Sequence, residues 1–345
     1  MKKSLIALAV LASSGAAMAQ SSVTLFGVVD EAVTYVNGQD NWSGLQSGGN
    51  STSRIGFRGV EDLGGGLKAQ FWLEAGILAD SGSGKSGGAE GTGLEFKRRS
   101  TVSLLGNFGE VRLGRSTTAA YDATSRYDVF GTVGIGQSQQ FADVIRVSNM
   151  VSYYSPDFSG FKAGVNYGFG EVAGNNSAKR YLGASLTYDN GPLSLGLGVD
   201  RLNGNKVLPA DEDMTRWSLG GSYNFGVAKL AAAYTNVNFK PQTGLKDKDR
   251  GLYIGLSAPV GAAGEAKISY NRYENKFDGS KLKADQIALG YVHNMSKRTA
   301  VYGTYAYMKN KNKDGANLGA TLGTDATLKS NGSQHGLQVG VRHNF

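Results

Sequence analysis

The 345-residue chain contains no cysteine, so a disulfide framework and a thiolate metal site are both closed to it. Its five prolines, Pro156, Pro192, Pro209, Pro241 and Pro259, all fall between segments of regular alternation, where a paired sheet tolerates them. Past the N-terminal segment no window approaches the roughly 18 apolar residues that a membrane-spanning helix needs, which excludes helical spans. No clustered run of Lys or Arg occurs either. The formal charge of +8 is carried by residues scattered singly, which leaves no footprint for nucleic acid. Glycine, by contrast, is abundant: 51 residues, about twice the usual share. It lies inside alternating segments, as in curved, closely packed strands, and not in linkers.

Lys2 and Lys3 precede an apolar run over 5–12, and Ala17-Met18-Ala19 supplies a small-x-small cleavage site. Residues 1–19 therefore read as an export signal, with the mature domain over 20–345. The apolar run is too short to serve as an anchor.

From there a period of two dominates. Val23, Leu25, Val29 and Val33 share one face, with Thr24 and Asp30 on the other. Leu67, Ala69, Phe71 and Leu73 alternate with Lys68, Gln70, Trp72 and Glu74. Short turn signals near 61–66, 107–110, 156–160, 189–192, 224–226, 259–264 and 294–298 alternate with longer polar segments. The long segments are 37–51, 78–96, 116–146, 171–178, 203–213, 240–250, 274–284 and 309–333. Seven short turns between eight long loops predict sixteen strands, with both termini on the short-turn side.

Tyrosines close many of the apolar rows, as aromatics do at the two interfaces of a membrane barrel. In hydrocarbon every backbone N–H and C=O must be paired within the protein, so an alternating sheet crosses only when closed. Sixteen strands enclose a lumen too wide for side chains to fill. The polar face, with Arg54, Arg58, Lys68, Glu74, Arg99, Arg146, Lys162, Arg216 and Lys267, is then the channel wall. Glu31, Arg98, Arg115 and Arg272 break the outward parity; the arginines are expected near strand ends, and Glu31 is left without an explanation, a subunit contact being one place for it.

One stretch, 116–147, lacks the alternation. Thirty residues without a period are usually functional or disordered. This one carries Tyr121, Tyr127, Phe130 and Phe141 with little charge bias, unlike a disordered tail. It reads as a loop folded into the barrel to narrow it.

Enzymatic chemistry finds little support. His293, His335 and His343 all fall by parity on the outward face of late strands, where none has a nucleophile and acid in one pocket. His-x-x-x-His, Gly-x-Ser-x-Gly and phosphate-binding glycine loops in the right context are absent. No cofactor and no metal are implied.

The chain resembles the trimeric general porins of Gram-negative outer membranes, in the β-proteobacterial form. The resemblance rests on Ser21-Ser22-Val23-Thr24-Leu25-Phe26-Gly27, on Ser53-Arg54-Ile55-Gly56-Phe57-Arg58-Gly59 leading to Glu61-Asp62-Leu63-Gly64, and on Gly106-Asn107-Phe108-Gly109 with Leu113-Gly114-Arg115. Tyr154-Ser155-Pro156, Met295-Ser296-Lys297-Arg298-Thr299 and the closing Val339-Gly340-Val341-Arg342-His343-Asn344-Phe345 follow in order. It implies an all-β, 16-stranded antiparallel transmembrane barrel, a homotrimer in outer-membrane lipid, and the third long loop folded inward. It further implies that Phe345 is an assembly signal. Arginines on the second, fourth and sixth strands of that family face acids on the third loop, which by motif and parity are here Arg54, Arg99 and Arg146, with Asp122 and Asp128 opposite. Asp128-Val129-Phe130-Gly131 stands in place of the Pro-Glu-Phe-Gly-Gly of some relatives. The expected function is passive diffusion of small hydrophilic solutes and inorganic ions, anions preferred. The alternative is a substrate-specific channel of the same fold for an anionic nutrient.

Overall fold

The computed structural model describes residues 22–86, 89–91, 93–139, 144–204, 212–241, 247–277, 279–311, 320–323 and 332–345. The expected export segment and Phe141 lie outside the described residues. Among the described residues nineteen strands are present. The first ten are β1 (Ser22–Asn37), β2 (Trp42–Ser47), β3 (Arg54–Gly64), β4 (Leu67–Leu78), β5 (Ser83–Ser86), β6 (Ala89–Gly91), β7 (Arg99–Gly106), β8 (Gly109–Thr117), β9 (Arg146–Tyr154) and β10 (Phe161–Gly168). They continue as β11 (Tyr181–Asn190), β12 (Leu193–Leu202), β13 (Glu212–Asn224), β14 (Lys229–Pro241), β15 (Asp247–Val260), β16 (Gly264–Phe277), β17 (Ser280–Asn294), β18 (Thr299–Lys311) and β19 (Ser333–Asn344). A short helix, α1 (Ala119–Ser125), lies between β8 and β9.

Sixteen of these, β1, β3, β4 and β7–β19, form one antiparallel meander that closes on itself. β19 pairs with β1 from Val28 opposite Asn344 to Asn37 opposite His335. The lower half of β1 pairs with β3, from Ser22 opposite Val60 to Val28 opposite Arg54. Closure leaves no sheet edge, as hydrocarbon requires. The three remaining strands belong to long loops: β2 folds back on β1, and the β5–β6 hairpin extends β4. The expected sixteen-strand barrel is the observed one.

Alternation sets the two faces. Val23, Leu25, Val33, Leu197, Ile254, Leu289 and Val339 are all exposed on the outside, an arrangement that only lipid makes favourable. Two buried apolar clusters lie where the loop after β8 meets the inner wall. One gathers Phe130, Ile135, Met308 and Leu322; another gathers Tyr127, Ala231, Ala233 and Tyr253.

Strand boundaries differ from expectation on one flank. Segments 240–250 and 274–284 read as loop, yet β15 begins at Asp247, β16 runs to Phe277 and β17 starts at Ser280. The ladder outruns the membrane there, so its outward residues are charged and no apolar alternation marks it. At the seam, the Phe345 N–H donates to the Gly27 carbonyl (3.1 Å) and the Gly27 N–H to the Phe345 carbonyl (3.0 Å). The Phe345 ring lies over Gly27 so closely that a Cβ at residue 27 would stand 2.3 Å from it.

Candidate functional site: a constriction between two unlike walls

The chain leaves β8 at Thr118, whose hydroxyl caps α1 by accepting the Tyr121 N–H (3.2 Å). The helix then lies against the inside of β10–β13. It fits because the wall has been stripped of side chains there. A Cβ on Gly196 would stand 2.1 Å from the Ala123 carbonyl oxygen, and one on Gly198 2.6 Å from that of Ala120. Gly220 makes the same room for the Tyr127 ring and Gly290 for Phe130.

Wall side chains then satisfy the loop backbone. Asn166 Oδ1 accepts the Ala119 N–H (2.6 Å), Tyr253 the Val129 N–H (2.7 Å) and Tyr273 the Gln139 N–H (2.9 Å). Gln286 donates to the Ile135 carbonyl (2.9 Å). Arg126 bonds Asp189 and Ser194. The loop is thus a fixture of the lumen.

The facing wall, on β3, β4 and β7–β9, keeps its long side chains. Arg54, Arg58, Arg98, Arg99 and Arg146 line a recess of about 430 Å³ with Phe26, Trp72 and Glu74. Arg99 lies over the Trp72 ring, 4.4 Å from its centre, and Arg58 lies 5.4 Å from it. Trp72 in turn meets Phe26 edge-on at 5.3 Å. Each cation–π contact contributes about 0.5–2 kcal/mol and leaves the guanidinium charged; Arg99 also lies 3.9 Å from the Glu110 carboxylate. Below, Arg112 is bidentate to Glu110 (2.8 and 2.9 Å) and lies 4.4 Å over the Tyr154 ring. Arg98 bonds Glu74 (2.6 Å), and Arg146 donates to the Arg98 carbonyl (2.9 Å).

Of the residues expected at the constriction, Arg54, Arg58, Arg99 and Arg146 share this one wall. Asp122, on α1, accepts from Thr117 (2.9 Å) and interacts electrostatically with Arg112, Arg146 and Arg99. It reaches lumen water, but protein encloses the lumen on all sides. That restricted solvation pushes its carboxyl above the ordinary aspartate range, against the pull of Thr117 and the arginines.

Asp128 requires a correction. It does not face the arginines: it is buried, and its carboxylate accepts the N–H groups of Phe130 (2.9 Å), Thr132 (3.1 Å) and Ser138 (2.8 Å). A loop with no regular ladder leaves donors unpaired, and Asp128 takes three of them. Arg216 likewise does not line the channel; it is buried against Asp200 (2.5 Å).

Counting strand parity assigns Arg98 outward, but β7 begins only at Arg99, and in the preceding bend Arg98 turns inward. Arg112 and Glu110 join the site without having been expected there, although Glu110-Val111-Arg112-Leu113 alternates cleanly enough to place both inside. Arg115 bonds the Lys97 carbonyl (2.6 Å) and Ser148 near the end of β8. Among the described residues no group of three His, Cys, Asp or Glu side chains is placed to hold a metal ion.

Six arginines against Glu74, Glu110 and Asp122 leave an excess of three positive charges around one aqueous passage. Such a passage, walled by protein and closed to lipid, passes hydrated solutes and discriminates by size and charge.

A closed sixteen-strand barrel with an inward loop defines a channel of the outer membrane. The chain belongs to the Gram-negative porin family, whose model matches residues 4–313. Outer membrane porin protein 32 of Delftia acidovorans is 49% identical over the whole of both chains. An outer membrane porin protein of Bordetella pertussis is 33% identical over 90% of this chain and 95% of its own. Among solved structures, an anion-selective porin from Comamonas acidovorans superposes with a TM-score of 0.85 at 45% identity, covering 94% of this chain and 100% of the other. The protein is therefore a multi-pass outer-membrane porin.

Proposed function

We propose that this porin is a homotrimeric, anion-preferring diffusion channel for small hydrophilic solutes, without cofactor or covalent step, exported by a signal at residues 1–19. The observation that carries the anion preference is the wall of six arginines, which outnumber Glu74, Glu110 and Asp122 by three; Arg58, Arg99 and Arg112 lie over aromatic rings. Arg54, Arg99 and Arg146 supply the bias; Arg58 extends it toward the short-turn mouth. The anion selectivity of the Comamonas relative supports the reading. Flux follows the solute gradient. In planar bilayers, conductance should rise in proportion to KCl and no single anion should saturate it. Saturation by one anionic nutrient would instead make this a substrate-specific channel, which the shared recess beneath Arg54, Arg58 and Arg146 favours as the second reading.

Phe345 is proposed as the assembly signal, from its place over Gly27 at the barrel seam. Deleting it should lower the amount of folded protein in outer-membrane fractions while leaving the conductance of the survivors unchanged. Undiminished yield would remove that role.

A further inference from the structure

Next to the arginine recess lies a second cavity of opposite chemistry, formed where three long loops meet. Gln46 on β2 and Thr52 just after it come from the first loop, and Leu322 from the segment before β19. Thr132, Val133 and Gln137 come from the tip of the loop after β8. The cavity measures about 190 Å³, and none of the described side chains that line it is charged. The Thr52 carbonyl accepts from Arg54 (3.5 Å), so the neutral cavity and the cationic recess adjoin.

The cavity is braced before any ligand arrives. Gln46 Nε2 donates to the Gly323 carbonyl (3.0 Å) and ties the first long loop to the last. Gly134 packs against Gly49 so closely that a Cβ on it would stand 2.1 Å from the Gly49 carbonyl oxygen. The Asp128 carboxylate holds the Thr132 N–H (3.1 Å), and Thr132 keeps a φ of +58°, which a threonine rarely adopts. Strain of this kind persists only where the surroundings impose it, as at ligand clamps.

Three polar groups at this junction are uncommitted. Thr52 and Gln137 use only main-chain atoms, the Thr52 carbonyl toward Arg54 and the Gln137 N–H toward the Gly134 carbonyl (3.4 Å). Among the described residues the Thr52 hydroxyl and the Gln137 amide have no hydrogen-bond partner. Gln338 is fully buried beside Gly134; its Nε2 donates to Thr34 and to Gln46 (2.8 Å each), while its Oε1 has no donor. A Cβ on Gly134 would stand 2.7 Å from that oxygen, so the bare glycine keeps it close to the cavity. A buried acceptor is costly until a hydroxyl or a bridging water reaches it.

A hydroxyl and two amides offer donors and acceptors together, and Val133 and Leu322 add an apolar surface. An ion would lose hydration here without meeting a counter-charge. A cavity below the size range of drug-sized ligands suits a single sugar ring. We infer that it is a subsite for a neutral, polyhydroxylated solute of monosaccharide size, with Thr52 and Gln137 binding its hydroxyls. The inference goes beyond the anion preference and uses none of the arginines. It gives neutral sugars a weak, saturable station beside the anion path.

The test uses full-length folded protein in planar bilayers, with D-glucose as the probe, in ~1 M KCl to screen the arginines. The reading is the extra current noise from brief partial closures. In wild type it should rise with glucose and level off. The variant T52V/Q137L removes only side-chain groups that hold nothing in the fold. It should weaken the apparent affinity about tenfold, as the loss of two hydrogen bonds does, with the KCl reversal potential unchanged. Val133→Phe fills the cavity from the loop tip and removes no hydrogen bond; it should abolish the saturable part. This second variant keeps the test decisive where the double variant folds poorly. Equal saturation in wild type and both variants would overturn the inference. So would a wild-type glucose effect that only follows viscosity and never saturates. A wild type that saturates with glucose yet lacks anion preference would uphold the subsite and sink the anion reading, so the two fail separately.

Discussion

The two walls of the lumen are built from opposite materials. The β10–β13 wall, with Gly290 on β17, presents glycines, and a folded loop lies on it. The β3–β9 wall presents arginines, and water lies on it. From β10 round to β17 this side also turns hydrogen-bonding side chains to the loop's backbone: Asn166 on β10, Tyr253 on β15, Tyr273 on β16 and Gln286 on β17 all meet main-chain atoms. On the arginine wall Trp72, Phe26 and Tyr154 serve instead as platforms for guanidinium groups. One wall sets the width of the passage and the other its sign. The two loop acids divide along the same line, Asp128 turned into the structure and Asp122 toward the arginines.

That division predicts its own failures. The largest effect belongs to Asp128→Ala, which strips three backbone donors of their acceptor. Each unsatisfied buried donor costs about 1–3 kcal/mol, so the folded form should lose roughly 2 kcal/mol or more. The heat at which the folded form collapses on a gel should fall, and survivors should show noisy, larger conductance steps. A variant with wild-type heat resistance and quiet steps would mean the staple is dispensable. Next comes Gly198→Val, which drives a side chain into the Ala120 backbone. Overpacking of this kind costs about 1–3 kcal/mol. The loop should lift from its wall, and a swelling assay should show an altered size limit for sugars; an unchanged limit would separate loop position from pore size.

The smallest effect concerns pH. Restricted solvation raises the Asp122 pKa, so on acidification its charge is lost above the point, about pH 3.9, at which an ordinary aspartate titrates. Protonation removes a negative charge opposite the arginines, so anion preference should increase as pH falls through that window. Asp122→Asn should show the increased preference already at neutral pH and lack that part of the step. The contribution of Asp122 is read as the difference between wild type and D122N. A full-sized step in D122N would take Asp122 out of the account.

How much is legible in the sequence follows from the physics of each part. Alternation of apolar and polar residues is imposed directly by lipid on one side and water on the other, so sixteen strands and the inward placement of Arg54, Arg58, Arg99 and Arg146 can be counted off the chain. The ladder above the membrane has water on its outward face too. Hence Asp247–Val260 and Gly264–Phe277 look shorter in the sequence than they are. The loop has no period at all. Its aromatic residues announce that it packs, but nothing local distinguishes an aspartate that accepts three N–H groups from one that faces a cation. Asp128 and Asp122 are six residues apart in the same kind of sequence, and only the folded path of 118–139 separates their roles. Arg98 shows the same limit beside a strand's first residue, where one position of uncertainty reverses a side chain.

The central claim is that the excess of arginines over carboxylates on one wall decides which ions pass. Two unit charges about 4 Å apart interact by about 1 kcal/mol in water-like surroundings and about 4 kcal/mol near protein walls, while a tenfold preference needs only about 1.4 kcal/mol. The direct measurement is the reversal potential of the reconstituted channel across a tenfold KCl gradient, in dilute salt and again with ~1 M on the concentrated side, where screening falls to about 3 Å. The wild type should show the anion-selective sign, weaker at high salt. Replacing Arg54, Arg99 and Arg146 by serine should move the potential to zero or past it. A cation-selective wild type, or a triple variant with an unchanged reversal potential, would contradict the account.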